Sequence, residues 1–485
     1  MPDAESRAAR NRITADPASD SAPEGSRPPD RSAAEGDPGL TSRSVSIRRG
    51  QTITVGAGNS LVTRGLQDIA RLAAASHATL LVRDHDIHEA AAKGDLDRLS
   101  SILDFEPRMV DFRDQDDWTP LHTAVCHDQP LAVSLLIQRG ADVHARLKLG
   151  DRRIHKAGGC RQALLFDLGR YSGASPLHVA ALLGQKDCAE VLLAAGADVQ
   201  FPDDDNLHAL QYAAMSGRRL FGSDGSCSVP VAELLVTFGA DVNESTPDSV
   251  IPDTPITPIH IAAGHGNYAM VQWLIDRGVD VNGRDYDDRI DYDPPTCLHD
   301  ATQSGDARMV ELLLRNHADV DALAMLVEHQ DGDELYGWRG TPLLWAAVCE
   351  ANEVAAVLLD WGANGCFRES EWGYTPLLIA VENFNRPLVE LLVKRGVDPN
   401  VPNNFGQTAL HRAVARLPYG EAEALKLQVL ELLLDYGADV NARDEHGLTP
   451  LDCIRRRHEE GGSADAVQSL LLAHGAESGL VERKG

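Results

Sequence analysis

Residues 175–199 decide the fold of this chain, and they read SPLHVAALLGQKDCAEVLLAAGADV. Ser175 is a residue type that begins helices by accepting backbone hydrogen bonds, and Pro176 suits the first helical turn, where its missing N–H is not needed. Two apolar helical stretches follow, and Gly196 is placed to end the second one in a left-handed conformation. The segment therefore predicts two short helices followed by a polar turn.

The two ends of this unit recur along the chain. The first block, Thr or Ser followed by Pro and Leu or Ile, recurs with weaker versions at Thr119, Ser175, His208, Thr257, Thr296, Thr341, Thr375, Thr408 and Thr449. A second block resembling Gly-Ala-Asp-Val follows each of them, from Gly140 to Gly475. The shortest unit is 33 residues long, as between Thr375 and Thr408, and insertions lengthen others. No single unit can bury both faces of its helices, so the units must stack on one another.

This pattern resembles the ankyrin repeat family, with about nine full repeats over residues 117–479. Residues 86–91 (DIHEAA) resemble a degenerate N-terminal capping repeat. The resemblance implies an all-α fold, a solenoid of stacked helix pairs with projecting β-hairpin fingers, over residues 86–479. Leu344 and Leu378 replace the histidine of the first block, so apolar packing is expected to compensate there.

The remaining residues are interpreted from composition. Residues 1–49 are rich in Ala, Ser, Pro, Gly, Asp and Arg, and they predict a disordered tail because they cannot bury enough apolar surface. Residues 50–85 predict a linker with a short helix. Residues 52–58 (TITVGAG) look like a phosphate loop but lack its third glycine, which favours a flexible connector. Residues 480–485 predict a C-terminal tail.

Composition limits the classes of partner. The 485 residues carry a formal net charge of −28 at pH 7, which argues against nucleic acid or an anionic membrane as the main partner. No apolar run approaches the ~18 residues of a membrane span, and no signal-peptide pattern begins the chain. The eight cysteines form no C-x-x-C pair, which predicts reduced thiols. We therefore expect a monomer of the cytoplasm or nucleus.

No pattern predicts catalysis, a metal site or a cofactor. The first-block histidines recur at the structural period, which indicates packing and hydrogen bonding for His122, His178, His260, His299 and His411. Asp285 and Asp287 begin an acid-rich finger, but a calcium loop would need Gly and Glu where Ile290 and Thr296 stand. This finger predicts a solvated acidic surface or a contact for a basic partner.

The tryptophans are more informative. Trp338 and Trp372 each lie three residues before a first-block threonine, at a predicted finger tip, and Trp118 lies one residue before Thr119. A finger tip offers little core, so these three residues predict binding anchors. The alternative, which stays open, is that each covers its own hairpin or the next finger. The others are predicted to pack in or beside helices: Trp273, Trp345 and Trp361.

The sequence thus predicts a non-enzymatic adaptor or scaffold that binds a protein partner on its concave surface. Acidic fingers would steer a basic segment and tryptophans would anchor it. The predicted finger acids are Asp114, Asp116, Asp117, Asp203, Asp204, Asp205, Asp285, Asp287, Asp331, Asp333, Glu334, Asp444 and Glu445. Two alternatives stay open: the substrate-recognition subunit of a ubiquitin ligase or similar complex, and a microbial effector that targets host proteins. The fold does not choose between them, because function depends on surface residues.

Overall fold

The computed structural model describes residues 45–47, 51–53, 85–147, 173–216, 225–247, 255–284, 294–331, 334–415, 422–458 and 465–478. Its internal contacts divide the chain into two units, residues 1–81 and 82–485. In the first unit, β1 (Val45–Ile47) pairs antiparallel with β2 (Gln51–Ile53). β1 lies inside the stretch predicted as a disordered tail, where local β-branched residues favour a strand despite the average composition. The rest of that tail, the linker helix and residues 480–485 lie outside the described residues.

The second unit is built from helix pairs. The first helices of the pairs are α1 (His85–Lys93), α3 (Pro120–Cys126), α5 (Pro176–Leu183), α7 (Ala209–Met215), α9 (Pro258–His265), α11 (Cys297–Gln303), α13 (Pro342–Val348), α15 (Pro376–Glu382), α17 (Ala409–Ala415) and α19 (Pro450–His458). The second helices are α2 (Leu96–Phe105), α4 (Pro130–Gln138), α6 (Lys186–Ala194), α8 (Val229–Thr237), α10 (Tyr268–Asp276), α12 (Ala307–Arg315), α14 (Asn352–Asp360), α16 (Arg386–Lys394), α18 (Ala422–Asp435) and α20 (Asp465–Ala473). The described part of the chain therefore holds a capping pair followed by nine repeats.

The pairs stack in two layers. Each first helix packs against the first helix of the next pair, and second helices pack against second helices along most of the stack. Small residues such as Ala180 and Ala181 are fully buried and let the first helices approach closely. Leucines such as Leu192 fill the space between the layers. Every helix pair thus buries its apolar faces against its neighbours, as the repeat pattern predicted.

The first and second blocks begin and end the helices as expected. The Thr119 hydroxyl oxygen accepts a hydrogen bond from the His122 backbone N–H, and Thr375 accepts one from Leu378. Gly196 has a φ of +93° directly after the second helix of its repeat. Leu344 and Leu378 are buried, so apolar packing does replace the histidine at these two positions.

The first-block histidines join each repeat to the next finger. In each case Nδ1 lies 2.8–2.9 Å from the hydroxyl oxygen of the preceding Thr or Ser. Nε2 lies near a carbonyl oxygen of the next finger in four repeats: His122 at 3.3 Å from Ala174, His178 at 3.1 Å from Leu207, His299 at 3.4 Å from Gly340 and His411 at 3.0 Å from Leu448. A carbonyl can only accept, so Nε2 carries the proton and Nδ1 accepts. The predicted structural role of these histidines is confirmed.

Asparagine side chains tie successive second blocks together. The Asn441 amide donates to the Gly475 carbonyl at 3.1 Å, and its oxygen accepts from the Glu477 N–H at 2.7 Å. Asn400 makes the same two bonds to the following repeat, at 3.0 and 2.6 Å, and Asn282 makes them at 2.9 and 2.8 Å. These braces lie at the surface and hold neighbouring repeats in register.

The predicted insertions are only partly described. Residues 321–338 fall in a long hairpin in which β5 (Ala324–Asp331) pairs antiparallel with β6 (Glu334–Gly340). In a second finger, β3 (Thr246–Pro247) pairs with β4 (Pro255–Ile256). In the eighth repeat the second helix, α18, begins at Ala422. Residues 148–172 and 285–293 lie outside the described part.

Candidate partner-binding surface

Some predicted steering acids instead build the fingers. The Asp203 carboxylate accepts hydrogen bonds from the backbone N–H groups of Asp205 at 2.8 Å and Leu207 at 2.7 Å. Asp114 and Asp444 accept the equivalent pairs of bonds two and four residues later in the chain. Burial raises the pKa of Asp203 above its ordinary value. These three acids hold the turns of their fingers, so the prediction that they steer a partner is corrected.

Other finger acids keep their charge at the surface. Asp117 pairs with Arg113 at 2.5 Å and Asp204 pairs with Arg146 at 2.8 Å, so two predicted acids are balanced by cations of the protein. Asp116 and Glu445 are exposed. Glu371, which the sequence reasoning did not select, is exposed as well.

Several predicted site residues are not placed by the structure. Asp285, Asp287 and Asp333 lie outside the described residues. Asp331 and Trp338 are described only by their backbone, which pairs with Glu334 and Leu326 in the β5–β6 hairpin. Their side chains therefore stay predictions.

The structure divides the tryptophans into buried and exposed residues differently from the sequence prediction. Trp118 is fully buried and meets His122 edge-on at 6.0 Å between ring centroids, so its prediction as a binding anchor is wrong. One residue before the threonine is the foot of a finger, where the indole lies beside the first helix of its own repeat. Trp273 and Trp345 are buried, as predicted. Trp361 is 44% exposed because it follows the last residue of α14 at the outer end of that helix, so the packing prediction for it is wrong.

Trp372 is 49% exposed on a finger whose turn is built around Glu369. The buried Glu369 carboxylate accepts hydrogen bonds from the backbone N–H groups of Glu371 at 2.7 Å, Trp372 at 2.5 Å and Tyr374 at 3.1 Å. Three bonds to one buried anion fix the direction in which the indole leaves the finger. The prediction that Trp372 is an anchor agrees with this exposure, and it remains to be tested.

The next finger supports Trp372. The rings of Trp372 and Phe405 lie 5.9 Å apart with their planes tilted by 39°, and we call this pair the aromatic shelf. Asn404 donates from its backbone N–H to the Trp372 carbonyl at 2.9 Å and from its side chain to the Glu371 carbonyl at 2.8 Å. Gly373 has a φ of +75°, and a Cβ there would lie 2.5 Å from the Asn404 nitrogen. The two finger tips are therefore held at a fixed, close separation.

Phe405 could have been found from the sequence. It lies three residues before Thr408, as Trp372 does before Thr375, and His446 lies three residues before Thr449. The same position holds Asp116 in the first repeat. This position thus changes from acidic in the first repeat to aromatic or imidazole in the last four, which begin with Trp338.

A polar cluster lies below the shelf, where the fingers meet the first helices. Arg412 of α17 donates to the Tyr374 hydroxyl at 3.0 Å and to the Gln407 amide oxygen at 3.1 Å. It also forms an ion pair with the nearly buried Glu382 of α15. We call these four residues the Arg412 cluster. Glu382 balances the charge of Arg412. In the sequence, each of the two is a charged residue within an otherwise apolar first helix.

A separate cavity lies at the turns between helices of three successive repeats. It has a volume of about 590 Å³ and is lined by His265, Ser304, Asp306, Arg308 and Glu353 together with glycines. Asp306 is already engaged, since it accepts from the Met309 N–H and the Tyr268 hydroxyl. Within the described ranges, no group of three or more His, Cys, Asp or Glu residues could hold a metal ion. The seven cysteines that the structure describes form no disulfide with one another.

Comparison with known protein families settles the fold family. A model of ankyrin repeats (three copies) matches overlapping segments over residues 155–481, and a single ankyrin repeat model matches residues 116–148. The chain belongs to the ankyrin repeat family. The match confirms the resemblance stated from the sequence. Repeats of this family form protein–protein interaction modules. None of the helices among the described residues is long and apolar enough to cross a membrane.

The ankyrin repeats are shared with proteins of differing function. The E3 ubiquitin-protein ligase KEG of Arabidopsis thaliana is 25% identical over 74% of this chain and 17% of its own length. A putative ankyrin repeat protein of fowlpox virus is 39% identical over 28% of this chain and 37% of its own length. Ankyrin repeat and SOCS box protein 6 of mouse is 39% identical over 22% of this chain and 25% of its own length. The chain thus spans well under half of each of these relatives.

One solved structure aligns with part of this chain. The crystal structure of the human ASB11 ankyrin repeat domain aligns with 53% of this chain and 98% of that domain, at 24% identity and a TM-score of 0.40.

Proposed function

We propose that this chain is a non-enzymatic adaptor that binds a basic protein partner across the fingers and first helices of its last repeats. The family supplies the general function, a protein-interaction module. The observation that carries the finer proposal is the aromatic shelf, a half-exposed tryptophan held in one orientation by two fingers. Tryptophan is the residue type most enriched among those that dominate binding energy.

The shelf can contribute a useful share of the affinity. A tryptophan side chain offers roughly 200 Å² of surface, and about half of it is exposed at Trp372, so covering it stabilises a complex by about 2.5 kcal/mol. Because Asn404 and the buried Glu369 already order the tip, little conformational entropy is lost on binding. The Arg412 cluster extends the surface with tyrosine and arginine, which are also common hot-spot residues.

Charge supports a basic partner. The net charge of −28 speeds association with a cation. Two exposed acids adjoin the shelf: Glu371 precedes Trp372 in the chain, and the Glu445 backbone N–H donates to the Phe405 carbonyl oxygen at 3.0 Å. The proposed surface includes four predicted finger acids and one tip tryptophan whose side chains the structure does not describe: Asp285, Asp287, Asp331, Asp333 and Trp338. Raising the salt concentration should slow association, while dissociation should change less.

Site-specific photo-crosslinking tests the proposed surface. A benzophenone-bearing residue replaces Ser370, exposed at the same finger tip, in one sample and Glu431, exposed on the second helix α18, in the other. The full-length chain is incubated with source-cell lysate and irradiated. The proposal predicts that a basic protein is linked from position 370 but not from position 431. Linking from 431 alone would overturn it.

A second candidate function is the recognition of substrates for a ubiquitin ligase. The names of two relatives, a ubiquitin-protein ligase and a SOCS box protein, favour it. Under this function the same surface would bind the substrate, while another part of the chain would recruit a ligase. The test is whether ligase subunits co-purify with the full-length chain and with its Trp372→Ala variant. Subunits that still co-purify with the variant would support this role. Subunits that are lost from the variant together with the basic partner would argue against it.

A further inference from the structure

Arginine stacking is a recurrent feature of this protein's own aromatic side chains. The guanidinium carbon of Arg277 lies 3.8 Å from the ring centre of Trp273, and that of Arg308 lies 4.9 Å from the Tyr268 ring. Arg146 covers Phe201 at 4.6 Å. Trp372 differs, since its ring neighbour is another aromatic residue, Phe405, and about half of its surface faces solvent.

The surroundings of Trp372 favour a cation on this exposed surface. The indole ring attracts a cation more strongly than the other aromatic side chains do, because its face carries partial negative charge. The exposed Glu371 carboxylate is adjacent in sequence, and the Glu369 carboxylate lies beneath the turn. The Arg412 cluster below is balanced by Glu382, so it does not add an uncompensated positive charge.

We propose that the aromatic shelf binds the guanidinium group of an arginine in an extended segment of the partner. The inference rests on the proposed function and specifies what the shelf recognises. A planar guanidinium stacks on the indole face while its N–H groups donate to Glu371, a combination that a lysine ammonium matches poorly. An aliphatic or aromatic partner side chain could cover the ring, but it would leave the neighbouring carboxylate without a partner.

One cation of the protein modulates this site. Arg368 donates to the Asn404 side-chain oxygen at 2.6 Å, so its charge lies close to the shelf. An incoming arginine is repelled by it, whereas an apolar side chain is not. Arg368→Gln removes this charge and keeps a side-chain N–H donor for Asn404, so it should strengthen arginine binding a few-fold.

Peptide selection followed by a charge-deleting substitution tests the inference. Random 12-residue peptides displayed on phage are selected on the full-length chain, and the peptides that no longer bind Trp372→Ala are synthesised. Each arginine is then replaced by citrulline, which has nearly the same shape but no charge. We expect one citrulline replacement to weaken binding by about 2- to 30-fold, the range for a stacked cation. A lysine at the same position should give an affinity between those of the arginine and citrulline peptides.

Matched variants make the result specific. Trp372→Leu should remove the difference between arginine and citrulline, and Trp372→Tyr should keep part of it. Trp361→Leu is the control, because Trp361 is similarly exposed at the outer end of α14 and should change nothing. Thermal melting of all variants checks their folding.

Each outcome bears on the inference. Selected peptides that require Trp372 but contain no arginine, or that bind equally with citrulline, overturn the inference and leave the proposed function standing. Peptides that ignore Trp372, or the absence of any selected peptide, overturn both. Arginine dependence that disappears only in the Trp372 variants supports both.

Discussion

The backbone N–H of Asn404 donates a hydrogen bond of 2.9 Å to the carbonyl oxygen of Trp372, and this bond joins the tips of two neighbouring fingers. The Asn404 side chain adds bonds to the carbonyls of Ser370 and Glu371 at 3.1 and 2.8 Å. The position of the exposed indole is thus set by one backbone hydrogen bond and two Asn404 side-chain hydrogen bonds between neighbouring fingers. A surface of this kind can be rigid although it lies on hairpin turns.

Asn404→Ala should separate binding from stability. The variant loses exposed side-chain hydrogen bonds, which contribute about 1 kcal/mol or less to the free energy of unfolding. It frees the tip that carries Trp372, so we expect partner affinity to fall by roughly tenfold. Calorimetric titration and thermal melting measure the two effects. Asn316→Ala, which removes a surface bond to the Leu312 carbonyl at the end of α12, serves as the control. Equal affinity in both variants would contradict a preorganised shelf.

Asn441→Ala should loosen the last repeat alone. It removes the two bonds that link Asn441 to Gly475 and Glu477, at a cost of about 1–2 kcal/mol. In a stack where each repeat contacts only its neighbours, a weakened terminal interface opens locally. Hydrogen exchange should therefore speed up over residues 450–478. Asn282→Ala breaks the same brace inside the stack. In that variant we do not expect the faster hydrogen exchange to be confined to one repeat.

Stability should decrease as the pH falls below about 6.5. Burial lowers the pKa of His178 and of His299 to about 3, and that of His260 to about 4, compared with 6.5 in an unfolded chain. Between these values the unfolded state binds more protons than the folded state, so acid favours unfolding. The stabilising contribution is complete above pH 6.5 and is lost progressively below it. Each histidine contributes up to about 1.4 kcal/mol per pH unit.

The chain offers a control for this pH effect. Gln211 occupies the histidine position in the third repeat, where its oxygen accepts from the His208 N–H at 3.0 Å. His178→Gln should keep one hydrogen bond and remove one titrating group, so the slope of unfolding free energy against pH should become shallower between pH 4 and 6. An unchanged slope would show that His178 does not titrate on unfolding.

Glu382→Leu should destabilise the protein more than the double variant Glu382→Leu with Arg412→Leu. Removing one member of a nearly buried pair leaves an uncompensated charge and costs about 3 kcal/mol or more, whereas apolar residues at both positions pack without that penalty. Denaturant unfolding of the two single variants and the double variant gives the coupling energy. Additive losses would mean that the pair is screened by water.

The sequence predicted the features that repeat and missed those that depend on neighbours. Thr119, Gly196 and the first-block histidines act within one unit or at a fixed spacing, so their roles followed from the period. Trp118 was misjudged because the spacing does not say that the foot of a finger lies beside a first helix, and Trp361 because the direction of a residue that ends a helix is not set by periodicity. The two shelf residues hold the same position in successive repeats, so their pairing could have been predicted, whereas the Arg412 cluster joins side chains that do not recur.

The most direct test of the account is the affinity of the photo-crosslinked partner for three full-length proteins, measured by calorimetric titration. These are the unchanged chain, Trp372→Ala and Trp361→Ala, with equal melting temperatures as a condition. The account predicts that Trp372→Ala loses at least tenfold in affinity, since about 2.5 kcal/mol of burial is removed, while Trp361→Ala binds normally. Equal affinities for all three proteins, or a loss with Trp361→Ala only, would show that the partner binds a different surface.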